Sequence, residues 1–202
     1  VADGVLQRLR GSPGPMTSAD LPSLTVVSAN PTSAIIPRAG SRTGADKTTG
    51  HPGIAWADVE GRLGSGEATA WLSLRSKVGV HTRPVFAAWT GTSFVLASKA
   101  TAVKTKYLDT GDRCSLALDL GTTHLIVDVQ PIRLTAPHDL ERASAAFLDV
   151  YDWPTTIAGD ELDAPYAAPT SGGPPFRVYE LMPIRAFAFP TEDQFEPTRF
   201  KF

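Results

Sequence analysis

The chain has 202 residues, 42% hydrophobic and 20% charged, with a formal net charge of −2, the composition of one globular domain with or without a tail. The slight negative charge argues against a nucleic-acid partner, the apolar runs are too short to span a membrane, and the one cysteine, Cys114, can form neither an internal disulfide nor a cysteine-rich metal site. No basic start leads into an apolar stretch, so a protein of the reducing cytoplasm acting on a small molecule is expected, with no metal.

Residues 1–50 contain no aromatic residue and hold 12 Ser or Thr and 11 Gly or Pro. Such a stretch buries too little apolar surface to offset its chain entropy. It is expected to be a flexible tail, with a short strand over 24–29 as the alternative. Met16 is a candidate start, which would leave residues 1–15 as a leader. All 17 aromatic residues fall in 51–202, where the folded domain is expected.

Within that domain the apolar spacing at 56, 59 and 63 predicts a helix over 56–67, ended by Gly64 or Gly66. A strand follows over 69–75. The long apolar stretch 78–89 contains Pro84, which gives no ladder N–H, so that strand is predicted at an edge or bulged. A hairpin turn at Thr90-Gly91 leads to a strand over 92–98, and a short helix is predicted over 101–108. Two more strands, 113–120 and 123–134, flank the turn at Gly121-Thr122. The period then changes: Leu140, Ala143, Phe147, Leu148 and Tyr151 share one face of an amphipathic helix over 137–153. Residues 154–175 read as a Pro- and Gly-rich excursion loop whose Asp160, Glu161 and Asp163 are solvated. Strands over 176–183 and 184–190 come last, and the aromatic, basic end 195–202 is expected to dock. Strands joined by tight turns, without the helices that parallel crossovers require, point to a small antiparallel barrel.

Charge is unevenly placed. From Ala68 to Leu108 there is no Asp or Glu, while Arg75, Lys77, Arg83, Lys99, Lys104 and Lys106 fall in the same window. A locally cationic half of the barrel favours a small anionic partner. At "SKATAVKTK" (98–106) a strand ends and a helix begins, so hydroxyls at Ser98 and Thr101, backbone N–H groups and Lys104 one turn on could form a phosphate seat. Lys104 could equally be an ordinary surface lysine on this spacing; Lys106 is expected to face solvent.

The stretch "HTRPVFAAWTGTSFVLASKATAVKTKYLDTGDRCSLAL" resembles the core of the pyridoxamine 5′-phosphate oxidase-like, flavin-binding split-barrel superfamily. The motifs that carry the resemblance are Arg83-Pro84-Val85, Trp89-Thr90-Gly91, Ala97-Ser98, the run Lys104 to Leu108, and Gly111-Asp112-Arg113. The ending "PPFRVYELMPIRAFAFPTEDQFEPTRFKF" is similar to that of a branch described as deazaflavin- or FMN-dependent reductases. Tyr107 stands where the pattern has asparagine, and Lys106 where it has arginine.

The resemblance implies a mainly β fold, a six-stranded antiparallel split β-barrel of Greek-key type with a few flanking helices. It implies a homodimer with a flavin (FMN) or a 5-deazaflavin of the F-420 type in each groove between subunits, the deazaflavin being favoured. It places Arg83, Pro84 and Val85 against the ring, and Ser98, Thr101 and Lys104 on the phosphate. Lys99, with Lys77 and Arg75, would serve the longer anionic tail of the deazaflavin, and Arg199 would approach the cofactor from the chain end. An oxidoreductase on a small organic substrate is expected, and a non-catalytic carrier or sensor of flavin or haem is the alternative. The ring carries the chemistry, so no catalytic acid or base is assigned. Of the four histidines, scattered without ligand spacing, His81 lies on the cofactor strand. No Gly-x-Ser-x-Gly elbow accompanies Ser98, which argues against a hydrolase. Cys114 is expected to be a buried small residue, and Trp71 and Trp89 to be packing residues.

Overall fold

The computed structural model describes residues 30–36, 50–66, 68–168 and 170–202. In chain order the elements are β1 (Thr32–Ile35), α1 (Trp56–Leu63), β2 (Thr69–Ser76), β3 (Gly79–Val85), β4 (Ala87–Trp89), β5 (Phe94–Lys99) and α2 (Val103–Leu108). There follow β6 (Cys114–Asp119), β7 (Thr123–Leu134), α3 (Pro137–Tyr151), β8 (Thr156–Ala158), β9 (Glu161–Asp163), β10 (Phe176–Pro190) and β11 (Thr198–Lys201). The strands run β1-β11-β10-β7-β6-β2-β3, and the N-terminal half of β10 also pairs with β5. Every pairing between named strands is antiparallel. Six long strands, β2, β3, β5, β6, β7 and β10, form a mainly β split barrel with few helices.

Alternation builds the barrel interior. Ala70, Leu72 and Leu74 of β2, Leu116 and Leu118 of β6, and Leu125, Val127 and Val129 of β7 are all buried and share one core with Trp56, Trp89, Phe94, Tyr179 and Phe200, as a period of two requires. A second core lies under α3, where Leu140, Ala143 and Phe147 meet Leu134, Leu162, Phe176 and Val178. The first half of β10 serves both cores. Each apolar side chain buried there contributes roughly 1.5–3 kcal/mol.

The β3 edge is as predicted: among the described strands β3 pairs only with β2, and the ladder breaks at Phe86 before β4. The end of the chain docks as β11, paired with β10. Four expectations are corrected. The strands over 176–183 and 184–190 are one strand, β10, whose register shifts between Pro183 and Arg185; a bulge absorbs the extra residue without breaking the ladder. The excursion 154–175 contains the β8–β9 hairpin. Its acids are not simply solvated: Asp160 pairs with Arg133 and Glu161 with Arg177. Inside the segment expected to be a tail, Thr32–Ile35 pairs with β11, held by backbone bonds and not by burial, since all four residues are exposed. The alternative strand at 24–29 and the candidate start at Met16 lie outside the described residues. No described helix is long and apolar enough to cross a membrane.

Candidate functional site

The end of β5, the turn after it and α2 form one locked unit. Thr105, fully buried, donates its hydroxyl to the Lys99 carbonyl at 2.7 Å. With that proton spent, the 2.7 Å contact between Ser98 Oγ and Thr105 Oγ1 is a donation from Ser98. Ser98 is only 2% exposed, so its hydroxyl closes the turn from within. Thr101 is exposed in the turn, outside α2, which begins at Val103. Six residues give α2 little macrodipole, and an anion here would be held chiefly by side chains.

Those side chains stand on the facing strand β3 and on α2 itself. Register pairs Leu72 with Arg83 and Leu74 with His81, so Arg83 and His81 share the barrel-side face of the β2–β3 hairpin, and α2 packs over β2. His81 lies against the Tyr107 ring, with centroids 6.0 Å apart. Its pKa is held below the ordinary value by partial burial first, then by the positive charges of Arg83 and Lys104. Lys104 is half-buried, and burial lowers its pKa. Lys106 points outward and is exposed. Helical spacing explains the difference: 104 shares a stripe with the buried Leu108, and 106 lies across the helix. Among the described residues no carboxylate pairs with Arg83, Lys104 or His81.

The structure therefore brings together Arg83 and Lys104 and adds His81 and Tyr107. The other expected site residues stand apart. Pro84 faces the opposite side of the sheet, in register with Trp71, while Val85 returns to the barrel side beside Ala70. Lys99 donates its Nζ to the Gly173 carbonyl at 2.8 Å. Arg75 is in register with Val80 on the outer face. Arg199 pairs with Phe187 and Ala34, at the other end of the strand order from Arg83. Thr105 went unread in the sequence as an anchor, although its spacing to Leu108 resembles that of any helix-facing residue.

Two further groups bear on the chemistry. Burial, then the charge of Asp128, pushes the Cys114 thiol up to about 12, which makes it inert at neutral pH. A groove of about 240 Å³ between α1 and the β6–β7 turn is lined by Asp58, Arg62, Thr122 and Glu192 among others. It shares no residue with the cation cluster, and its mixed charges offer no net anion seat.

The outer face of the sheet has a different character. Pro84, Trp71, Ala117, Ile126 and Phe187 lie in register across β3, β2, β6, β7 and β10. Trp71 is 38% and Ile126 39% exposed. Trp71, expected as a packing residue, thus presents its ring to the surface, whereas Trp89 is buried. The adjoining row is polar and internally bonded: Ser73 to Thr82, Ser115 to Asp128, and Arg185 to Asp128.

No family model matches the chain, and no curated protein matches it. Solved structures do. A conserved hypothetical protein of Mycobacterium tuberculosis is 15% identical with a TM-score of 0.52, covering 70% of this chain and 88% of that one. A NimC/NimA family protein of Clostridium acetobutylicum is 10% identical with a TM-score of 0.50, covering 73% and 91%. A protein of the same organism related to general stress protein 26, of the pyridoxinephosphate oxidase family, is 10% identical with a TM-score of 0.50, covering 72% and 93%. At these identities the likeness is one of fold.

Proposed function

We propose that this chain, which has the split β-barrel fold seen in pyridoxamine 5′-phosphate oxidase-like proteins, is a flavin-type oxidoreductase acting on a small organic substrate. The observation that carries the reading is Lys104, half-buried and without a carboxylate partner among the described residues, beside Arg83 and His81. An ammonium drawn out of water without a counter-charge is costly, and a bound anion offsets that cost. The donor set fits one phosphate group: an ammonium, a guanidinium and an imidazole that gains a proton as the anion arrives.

FMN needs no more than this seat. The deazaflavin reading adds an anionic tail, for which Lys77 at the hairpin tip and Lys99 are the cations within the acid-free window; Arg75 turns to the outer face. When bound, either cofactor supplies hydride or electron transfer at its ring. The protein's part is to hold the phosphate through Lys104 and Arg83, to set the ring beside β3, and to keep water from it. The exposed row from Pro84 to Phe187 is the surface on which a second copy would dock, making a homodimer. In one chain Arg199 does not approach the seat, and a dimer is the arrangement in which it could.

Titration of the full chain with FMN and with the deazaflavin tests the proposal. A charge-assisted contact of this kind contributes about 1.5–3 kcal/mol, so Lys104→Ala should weaken binding roughly 10- to 100-fold. Lys106→Ala should cost under about 5-fold. Equal losses would remove the seat. Binding without any change in ring absorbance under anaerobic reductant and acceptor would favour the carrier or sensor over the enzyme.

A further inference from the structure

We infer that Asp109 is a positioning residue for the anion seat, clamping α2, and with it Lys104, against β10. The inference rests on the reading of Lys104 as the phosphate-binding residue. At six residues, α2 is well below the length of about 12–15 at which a helix is even marginal alone. Its position is therefore set by tertiary anchors. One is Thr105, bonded to the Lys99 carbonyl and to Ser98. A second is Leu108, 2% exposed in the barrel core.

The third is Asp109, which caps the C-terminal end. One of its oxygens accepts the Tyr179 hydroxyl at 2.6 Å, and the other accepts Arg177 Nη1 at 2.7 Å. A carboxylate beside the carbonyl end of a helix has the unfavourable sign, so local helix propensity does not account for it; the bonds to β10 do. Arg177 is in register with Ser98, and Tyr179 with Leu96. Thr105 and Asp109, one helical turn apart, therefore grip neighbouring rows of the same β5–β10 face. Arg177 Nε also lies 3.5 Å from Glu161 Oε1, an ion pair without hydrogen-bond geometry, which extends the clamp to the β8–β9 hairpin. Lys104 stands next to the first anchor and five residues before the third, Asp109. Releasing Asp109 frees the last turn and lets the Lys104 stripe rotate away from Arg83 and His81.

The test compares phosphorylated and phosphate-free ligands in the full chain: FMN against riboflavin, and the deazaflavin against its phosphate-free riboflavin-like core. Circular dichroism confirms folding at the working temperature. Asp109→Asn should lower affinity for the phosphorylated member about 5- to 20-fold and leave the phosphate-free member within about 2-fold. Added to Lys104→Ala, it should cost little more, because both act through one contact. A folded Asp109→Asn protein that keeps its full preference for the phosphate, or whose loss adds fully to that of Lys104→Ala, overturns the positioning role while the seat survives. If Lys104→Ala itself leaves the preference intact, or no ligand of either pair binds, the seat falls and the inference with it. Should Asp109→Asn fail to fold, Tyr179→Phe, which deletes one donor, decides by the same comparison: a smaller loss of preference supports the clamp, and no loss overturns it.

Discussion

The two faces of the β2–β3 hairpin carry opposite chemistry. Its barrel side runs from the buried Leu72 and Leu74 to Arg83 and His81, which face α2. Its outer side carries Trp71 and Pro84, the start of an apolar row that continues to Phe187. A two-residue period sorts the residues between the faces, so one short stretch, His81-Thr82-Arg83-Pro84, supplies a cation to one side and an apolar ring to the other. The division suggests separate duties: anion binding on the inside, association on the outside. Substitutions that spoil one face and spare the other would break or sharpen that division.

The largest effect is expected on the outer face. Trp71→Glu places a charge in the middle of the apolar row, between Pro84 and Ala117. Loss of a central aromatic anchor costs about 2 kcal/mol or more at an interface. If the outer row is the proposed homodimer surface, sedimentation velocity should show self-association lost at concentrations at least about 30-fold higher than for the native chain. A native protein that sediments as a monomer at all concentrations would leave the outer row without this role.

A smaller effect is expected on the inner face. Arg83 is exposed, and its Nη1 already donates to its neighbour's carbonyl, Thr82 O, at 2.7 Å. Solvent screening therefore discounts its charge relative to that of Lys104. Arg83→Gln should weaken FMN binding about 3- to 10-fold and leave self-association unchanged, with the loss shrinking as salt is raised. A loss as large as that of Lys104→Ala, insensitive to salt, would place Arg83 and not Lys104 at the centre of the seat.

How far the sequence reveals all this follows from the range of the interactions. The 123–134 strand is legible to the residue because it alternates from Thr123 to Pro131 and starts directly after the Gly121-Thr122 turn. The amphipathic stripe of α3 is similarly self-evident. The outward set of Lys106 also follows from local spacing, whereas the same spacing leaves Lys104 open between the seat and the surface. Strand β1 leaves no such trace: all four of its residues are exposed, so no apolar period marks it. The continuity of β10 through Pro183 is equally hidden, since a proline there reads as an end, and only the neighbouring strand shows the bulge that carries it. The clamp on α2 joins Asp109 to partners 68 and 70 residues away, and the Ser98–Thr105 bond consumes a hydroxyl that the sequence offers to a ligand. Local periodicity identifies which residues are near the seat. Which of them are already engaged depends on contacts between distant parts of the chain.

His81 provides the finest test of the inner face. It sits between Arg83 on its own strand and Lys104 on α2, with the Tyr107 ring against it and Leu74 beside it in register. Without ligand, partial burial and the two cations hold its pKa below the ordinary 6.5. The unfolded chain therefore takes up a proton at His81 before the folded one does, and stability falls as pH drops from 6.5 through the lowered value. A bound phosphate reverses the sign. In the proposed seat it would neutralise the neighbouring cations and accept a hydrogen bond from the imidazolium, so His81 would protonate more readily in the complex than in the free protein. Binding must then strengthen as pH falls through the same window. The phosphate titrates near about pH 6 as well, so the informative quantity is the affinity of the native chain relative to His81→Gln. That ratio should rise about 2- to 5-fold between about pH 7.5 and about pH 5.5. The Trp71→Glu protein, altered only on the outer face, should show the same rise. Parallel curves for the native chain and His81→Gln would mean that the imidazole faces the seat without touching the anion, leaving Lys104 and Arg83 to hold it alone.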